Sequence, residues 1–129
     1  MDDNAELRQF AELLMRLVRD ESIATCDALA SGRMGGAGGK LWRELLTDDR
    51  VREAVQTLVP EIVDHVLFYF VNALDGDDLP LAWRRQDGSY VDLYELGGSE
   101  LGGDLMMSDG WRARYSSQRF LAPGADPAS

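Results

Sequence analysis

One predicted helix carries an acid, an imidazole, a phenol and an amide at spacings that place all four side chains on one face. Glu61, His65, Tyr69 and Asn72 follow one another at intervals of four, four and three residues, and His65 is the single histidine of the chain. Glu61 could hold one imidazole nitrogen while the other acts as a general base, and the phenol and amide would position a substrate. One hypothesis is therefore a small-molecule site, enzymatic or sensory, with Glu61 and His65 as candidate catalytic residues.

The same four residues have a simpler interpretation as the solvated side of an amphipathic helix. The sequence near them supplies no evident nucleophile, and one histidine with one or two acids is a small ligand set for a transition metal. We therefore weigh the solvated face above the catalytic site. The sequence predicts no cofactor and no metal.

A second group of residues combines aromatic rings with arginines in two short segments, residues 81–94 and 111–115. These residue types are enriched at protein interfaces, where rings supply rigid contact area and guanidinium groups supply planar hydrogen bonding. In the alternative interpretation, the rings pack on the helices and the arginines pair with nearby acids, and we weigh the two equally. The candidate binding residues are Trp83, Arg85, Tyr90, Asp92, Tyr94, Trp111, Arg112 and Arg114.

Two further motifs resemble ligand-binding loops but depart from them in detail. Lys40 follows a run of glycines, yet Met34 and Leu41 stand where a phosphate-binding P-loop requires glycine and a hydroxyl residue. The acidic segment DGDDLP has Pro80 where a calcium-binding EF-hand loop requires glycine. We expect a flexible connector over residues 32–39 and a solvated turn after the second long helix.

The first long helix is predicted from apolar residues at intervals of three and four, starting near Asp3 or Asn4 as the cap. Its apolar stripe includes Leu17 and Val18. If the helix continues unchanged, Glu21 falls within the same stripe and points towards the core. We therefore expect either a bend near residues 20–22 or a partner for Glu21.

A short helix near residues 41–46 precedes a second long helix, whose start is indicated by Thr47 and the two acids that follow it. Pro60 predicts a kink or a break. From Ile62 to Leu74, apolar residues point in nearly every direction around the helix axis. That pattern is typical of a central helix packed on several sides.

Asp87 and Gly88 indicate a two-residue β-hairpin turn between strands near residues 81–86 and 89–94. That turn pairs Trp83 with Asp92, and it places Leu81, Trp83, Arg85, Tyr90, Asp92 and Tyr94 on one face. An isolated hairpin is marginally stable, so we expect a third strand, for which residues 111–115 are the candidate.

The chain of 129 residues is long enough for one domain with one core. The predicted fold class is α+β and predominantly helical. It comprises two long helices, a short helix, and a small C-terminal antiparallel β-hairpin or three-stranded sheet. Residues 1–121 form a single compact domain in this prediction, and residues 122–129 form a flexible tail.

The formal net charge of −10, from 23 acids and 13 bases, disfavours nucleic acid as a partner. Cys26 is the only cysteine, which excludes an intramolecular disulfide and indicates a reducing, cytoplasmic setting. The N-terminal acids do not fit a signal peptide. Arginine outnumbers lysine twelve to one, which indicates a bacterial source.

The longest uncharged apolar stretch, the ten residues 65–74, would cover only about 15 Å as a helix. That is half of the roughly 30 Å hydrocarbon core of a membrane, so we expect no membrane span.

These observations predict a small acidic cytoplasmic protein–protein interaction module without catalytic activity, with a homodimer as one form of it. The expected partner is another protein or a second copy of the chain. Two alternatives stay open. One is a small-molecule-binding protein or enzyme that uses Glu61, His65, Tyr69 and Asn72. The other is an acidic immunity-type protein that blocks a basic partner, since the negative charge would steer association.

Overall fold

A computed structural model describes residues 3–122 of the chain. Its helices and strands follow one another as α1 (Asp3–Leu13), a π-helical segment (Leu14–Asp20), α2 (Glu21–Ala30), α3 (Gly36–Leu45), α4 (Asp49–Asp75), β1 (Ala82–Arg84), β2 (Tyr90–Asp92), α5 (Leu93–Gly97), α6 (Leu101–Met106) and α7 (Trp111–Tyr115). The protein is 67% helical with a two-stranded antiparallel sheet, which confirms the predominantly helical α+β class. Three short helices follow the hairpin, so the described part of the chain does not end in the sheet.

The first helical region continues from α1 into α2 without a break, through the π-helical segment. A π-helix places more residues in each turn than an α-helix, and it therefore rotates every later side chain about the axis. As a result Arg19 and Asp20 are buried and Glu21 is exposed. Leu17 and Val18, which the sequence assigned to the core stripe, are exposed. The expected conflict at Glu21 is thus resolved by a change of helical phase.

The expected flexible connector is wrong for its second half, because α3 begins at Gly36. Gly32 and Gly36 have positive φ angles of 76° and 77°, a conformation that favours glycine. Gly39 lies directly against the backbone of Met34, where a Cβ atom would come within 2.1 Å of the carbonyl oxygen. These glycines form a tight entry into α3.

The second long helix, α4, begins one residue later than the cap predicted at Thr47 would place it. The side chain of Asp48 caps it by accepting a hydrogen bond of 2.7 Å from the Arg50 amide. The helix continues through Pro60 to Asp75, so the predicted break is absent. At 27 residues, its length is about 40 Å. It is the longest element of the described chain and supplies Leu67, Val71 and Leu74 to the core.

The hairpin forms, but its predicted register is wrong by one residue. Trp83 pairs with Val91, not Asp92, and Arg84 pairs with Tyr90. The Arg85 amide donates to the Ser89 carbonyl at 2.7 Å, which makes residues 86–88 a three-residue loop. Gly88 takes the left-handed position with φ of 89°. The shift places Trp83 and Val91 on the half-buried face and moves Tyr90 and Asp92 to the exposed one.

The predicted third strand, residues 111–115, is wrong, because this segment forms α7. Trp111 is buried and makes an edge-to-face contact with Phe10, with ring centroids 6.1 Å apart. The segment therefore packs against α1 as a helix. Leu101 and Leu105 of α6 are fully buried in the same core cluster. Residues 123–129 of the predicted tail lie outside the described residues.

Candidate interaction surface

A buried network of two arginines and an aspartate joins three parts of the fold. Arg19 of the π-helical segment donates to Asp64 of α4 from Nε to Oδ1 at 2.7 Å and from Nη2 to Oδ2 at 3.1 Å. Arg112 of α7 donates to Asp64 Oδ2 at 2.9 Å. All three side chains are at most 2% exposed. The remaining nitrogens of Arg112 donate to the carbonyls of Leu105 and Met106, so this predicted binding residue is used inside the protein.

The same network holds the segment that follows α7. Asp20 accepts hydrogen bonds from the Ser116 hydroxyl and from the amide and hydroxyl of Ser117. Arg19 donates to Ser116 Oγ at 2.8 Å and to the carbonyl of Arg119 at 2.8 Å. Within residues 3–122, every buried side-chain nitrogen or oxygen has a hydrogen-bond partner. These charged groups therefore bind one another, which is a structural role.

The predicted aromatic and arginine residues do not form one surface. Trp111 and Arg112 are buried, and Trp83 is half-buried against Phe10 at a centroid distance of 5.9 Å. Arg85 donates from Nε to both carboxylate oxygens of Glu6, at 3.0 and 3.2 Å. The other members are exposed: Tyr90 and Asp92 on β2, Tyr94 on α5 and Arg114 on α7.

A cleft of about 710 Å³ lies beside this ion pair, between α1 and the hairpin loop. Its lining includes Glu6, Gln9, Trp83 and residues 84–88. Glu6 is only 3% exposed. The Glu6 carboxylate and the Arg85 guanidinium neutralise each other. A ligand in the cleft would therefore meet an ion pair and not a free charge.

The polar stripe lies on the outer side of α4. His65, Tyr69 and Asn72 are exposed, and Glu61 is half-buried. The Nδ1 atom of His65 lies 2.7 Å from the Glu61 carbonyl oxygen, so the contact is with the backbone and not with the carboxylate. Residues 3–122 contain no group of three or more His, Cys, Asp or Glu side chains arranged to hold a metal ion. The predicted catalytic contact between Glu61 and His65 does not form.

Most exposed side chains on the same side of α4 are apolar. We define the α4 face as Val51, Leu58, Ile62, Val66 and Tyr69, whose exposed fractions run from 46% to 67%. At 100° per residue, these five side chains lie within about 40° of Ile62 around the helix axis. The polar stripe borders this face, and Tyr69 belongs to both. The polar residues of the sequence-predicted site are therefore the rim of an apolar surface.

A small apolar cleft extends this surface onto α3. It has a volume of about 200 Å³ and is lined by Leu41, Trp42, Leu45, Leu46 and Val55. Leu41 and Leu45 are 53% and 67% exposed. We call this feature the α3 cleft. Since Val55 lies in the same angular range as the α4 face, the cleft and the face are continuous.

Sequence reasoning missed this surface because it assigned the apolar residues of α4 to a helix covered on several sides. By length and composition α4 is also apolar enough to cross a membrane, with a mean hydropathy of 1.3 in its most apolar window. Only 28% of that window is buried. This buried share is low because the α4 face is exposed.

Comparison of the chain with family models, curated proteins and solved structures finds no match.

Proposed function

We propose that the protein is a cytoplasmic protein–protein interaction module without catalytic activity, and that it binds its partner through the α4 face and the α3 cleft. The observation that carries this proposal is the continuous row of exposed apolar side chains. Seven members are more than 45% exposed: Leu41, Leu45, Val51, Leu58, Ile62, Val66 and Tyr69. Each of these side chains exposes on the order of 100 Å² of apolar area, so together they present about 700 Å². Monomeric proteins ordinarily expose only a few hundred Å² in one apolar patch.

The charges around α4 favour a protein over a lipid surface. The helix ends with Asp75 and is followed by Asp77 and Asp78, with no base among residues 75–78. Anionic membrane surfaces attract basic segments and repel acidic ones. In the middle of α4, Asp64 is ion-paired with Arg19 and Arg112 of other elements. Lifting the helix into a membrane would leave these charges without partners.

The buried titratable groups also favour binding over catalysis. Arg19, Asp64 and Arg112 hold one another, and Glu6 is held by Arg85. The thiol of Cys26 is half-buried, and burial, followed by the negative charge of Asp27, raises its pKa. A raised thiol pKa lowers the thiolate fraction, which is the nucleophilic form.

The test is photochemical cross-linking in the native cells. A benzophenone amino acid replaces Ile62 at the centre of the α4 face, and a matched control carries it in place of Thr57. Thr57 is exposed on the same helix, about 140° around the axis. We expect a discrete protein adduct from position 62 and none from position 57. No adduct from position 62, or lipid adducts alone, would refute the proposal.

A further inference from the structure

We propose that the partner on the α4 face is a second copy of this chain, packed antiparallel about a two-fold axis that passes beside Ile62. This inference rests on the proposed function and names the occupant of the surface. Four features of the described residues support it: the spacing of the face, the position of Ile62 at the midpoint of α4, the position of the α3 cleft, and the exposed area.

The intervals between the apolar residues are the same in both directions from Ile62. In a two-fold interface between antiparallel helices, facing positions have a constant sum of residue numbers. The apolar positions of α4 on this side are 51, 55, 58, 62, 66, 69 and 73, so the intervals are 4, 3, 4, 4, 3 and 4. Val51 therefore faces Ala73, Val55 faces Tyr69, Leu58 faces Val66, and Ile62 faces its own copy.

The position of Ile62 adds to this symmetry, because it is the midpoint of α4 (Asp49–Asp75). Two copies that cross at Ile62 overlap over the full helix length of about 40 Å. The intervals also sum to eleven residues on each side of Ile62, close to three turns. An eleven-residue repeat follows the helix axis closely, so the row stays on one side of a nearly straight helix.

The α3 cleft distinguishes an antiparallel pair from a parallel one. Val55 lines the cleft and faces Tyr69 of the second copy in the antiparallel arrangement. Tyr69 is 66% exposed, and its ring is brought to the opening of the apolar cleft of about 200 Å³. The symmetry repeats this contact at the other end of the pair. In a parallel pair, Tyr69 would face Tyr69 and the two clefts would face each other unfilled.

The area is of the size that a stable dimer needs. Each of the seven exposed apolar side chains presents on the order of 100 Å², which gives about 700 Å² per copy. A standard specific interface buries about 800 Å² per partner. The rim residues Glu61, His65 and Asn72 would supply the polar border that such interfaces have.

The test uses the full chain with Cys26→Ala, which removes the only native thiol. Leu58→Cys and Val66→Cys are made separately, mixed in equal amounts, and treated with a bismaleimide that spans about 8–10 Å, the axis separation of packed helices. In the antiparallel pair, position 58 faces position 66, whereas two copies of position 58 are offset by about 12 Å along the axis. We expect a cross-linked dimer that contains one chain of each variant, at least tenfold more abundant than either homodimer.

Cross-linking of Leu58→Cys with itself and of Val66→Cys with itself would show a parallel pair and overturn the proposal. No dimer from any mixture, with circular dichroism showing folded chains, would overturn it as well. Thr57→Cys is the matched control and should give no dimer. If the purified chain forms no cross-linked dimer while position 62 cross-links to a different protein in cells, the proposed function is supported and the antiparallel dimer is refuted.

Discussion

Arg19 and Asp64 lie 45 residues apart in the sequence and meet through two hydrogen bonds of 2.7 and 3.1 Å in the protein interior. The pair joins the π-helical segment to α4. On α4, Asp64 points about 160° away from Ile62 around the axis. This ion pair therefore fixes the rotation of the helix and leaves the α4 face pointing outwards.

Removing Asp64 is expected to be the most damaging single change among the charged residues. Asp64→Ala leaves two buried guanidinium groups, those of Arg19 and Arg112, without their carboxylate. Loss of one partner of a buried ion pair lowers the free energy of unfolding by about 3–5 kcal/mol. Urea denaturation monitored by circular dichroism measures it.

The matched control is Glu53→Ala, which removes an exposed acid from the same helix. We expect a change of about 0.5 kcal/mol or less. Equal effects of Asp64→Ala and Glu53→Ala would contradict the assignment of the network as a structural anchor.

The second prediction concerns the segment after α7, which Asp20 holds through Ser116 and Ser117. Asp20→Ala should cost about 1.5–3 kcal/mol, since it removes hydrogen bonds to a buried charged group. The Ser117 amide, which donates to Asp20 at 3.0 Å, should exchange with deuterium faster. Glu12→Ala is the control, because it removes an exposed acid of α1. Unchanged exchange at Ser117 in Asp20→Ala would count against this contact.

Two glycines near the C-terminal helices give a prediction with opposite signs. A Cβ atom at Gly103 meets nothing within 4 Å, so Gly103→Ala within α6 should stabilise the fold by about 0.5–1 kcal/mol. A Cβ atom at Gly110 would lie 2.0 Å from the Asp104 carbonyl oxygen, so Gly110→Ala should destabilise it by about 1–3 kcal/mol. Thermal unfolding of both variants measures the difference. If both substitutions shift the unfolding temperature in the same direction, the proposed packing of α6 against α7 is wrong.

The fourth prediction follows from Asp104. Burial, followed by the negative charges of Glu100 and Asp75, raises its pKa above the ordinary 3.8, although Arg114 acts in the opposite direction. The folded state therefore binds this proton more tightly than the unfolded state, and ionisation of Asp104 disfavours folding. The penalty is absent below the unfolded pKa and complete above the folded pKa.

Asp104→Asn removes a charge that the folded state disfavours. We expect the variant to be more stable than the natural chain at pH 7. The gain should shrink as the pH falls through the raised pKa of the folded state, and it should be lost below the unfolded pKa of 3.8. Denaturant titrations at pH 7 and pH 3 measure the two differences. A gain of equal size at both values would show that the charge is not its cause.

Local signals predicted those parts of the fold that neighbouring residues determine. Thr47 with the two acids that follow it predicted the start of α4 to within one residue, and Asp87 with Gly88 predicted the hairpin. The register was wrong because the same dipeptide fits a two-residue or a three-residue loop. Residues 111–115 alternate apolar and polar side chains as a strand does, but they form a helix in which Trp111 packs against Phe10 of α1.

The candidate surface was harder to predict, because apolar periodicity does not show which side of a helix its neighbours cover. Val63 and Phe70 pack against the core, whereas Val66 and Ile62 are exposed, and all four are equally apolar in the sequence. The π-helical segment has no simple sequence signal, yet it brings Arg19 to Asp64. The pairing of distant residues therefore determined which side of α4 stayed open.

Sedimentation equilibrium of the full chain tests the central claim most directly. We expect a mass of twice 14.3 kDa at micromolar concentration. Ile62→Glu, which would place two like charges beside the two-fold axis, should weaken association by at least about 100-fold. Because Ile62 is 60% exposed, this variant should keep the circular dichroism spectrum of the natural chain. A monomeric natural chain, or a folded Ile62→Glu variant that associates as strongly, would contradict the account.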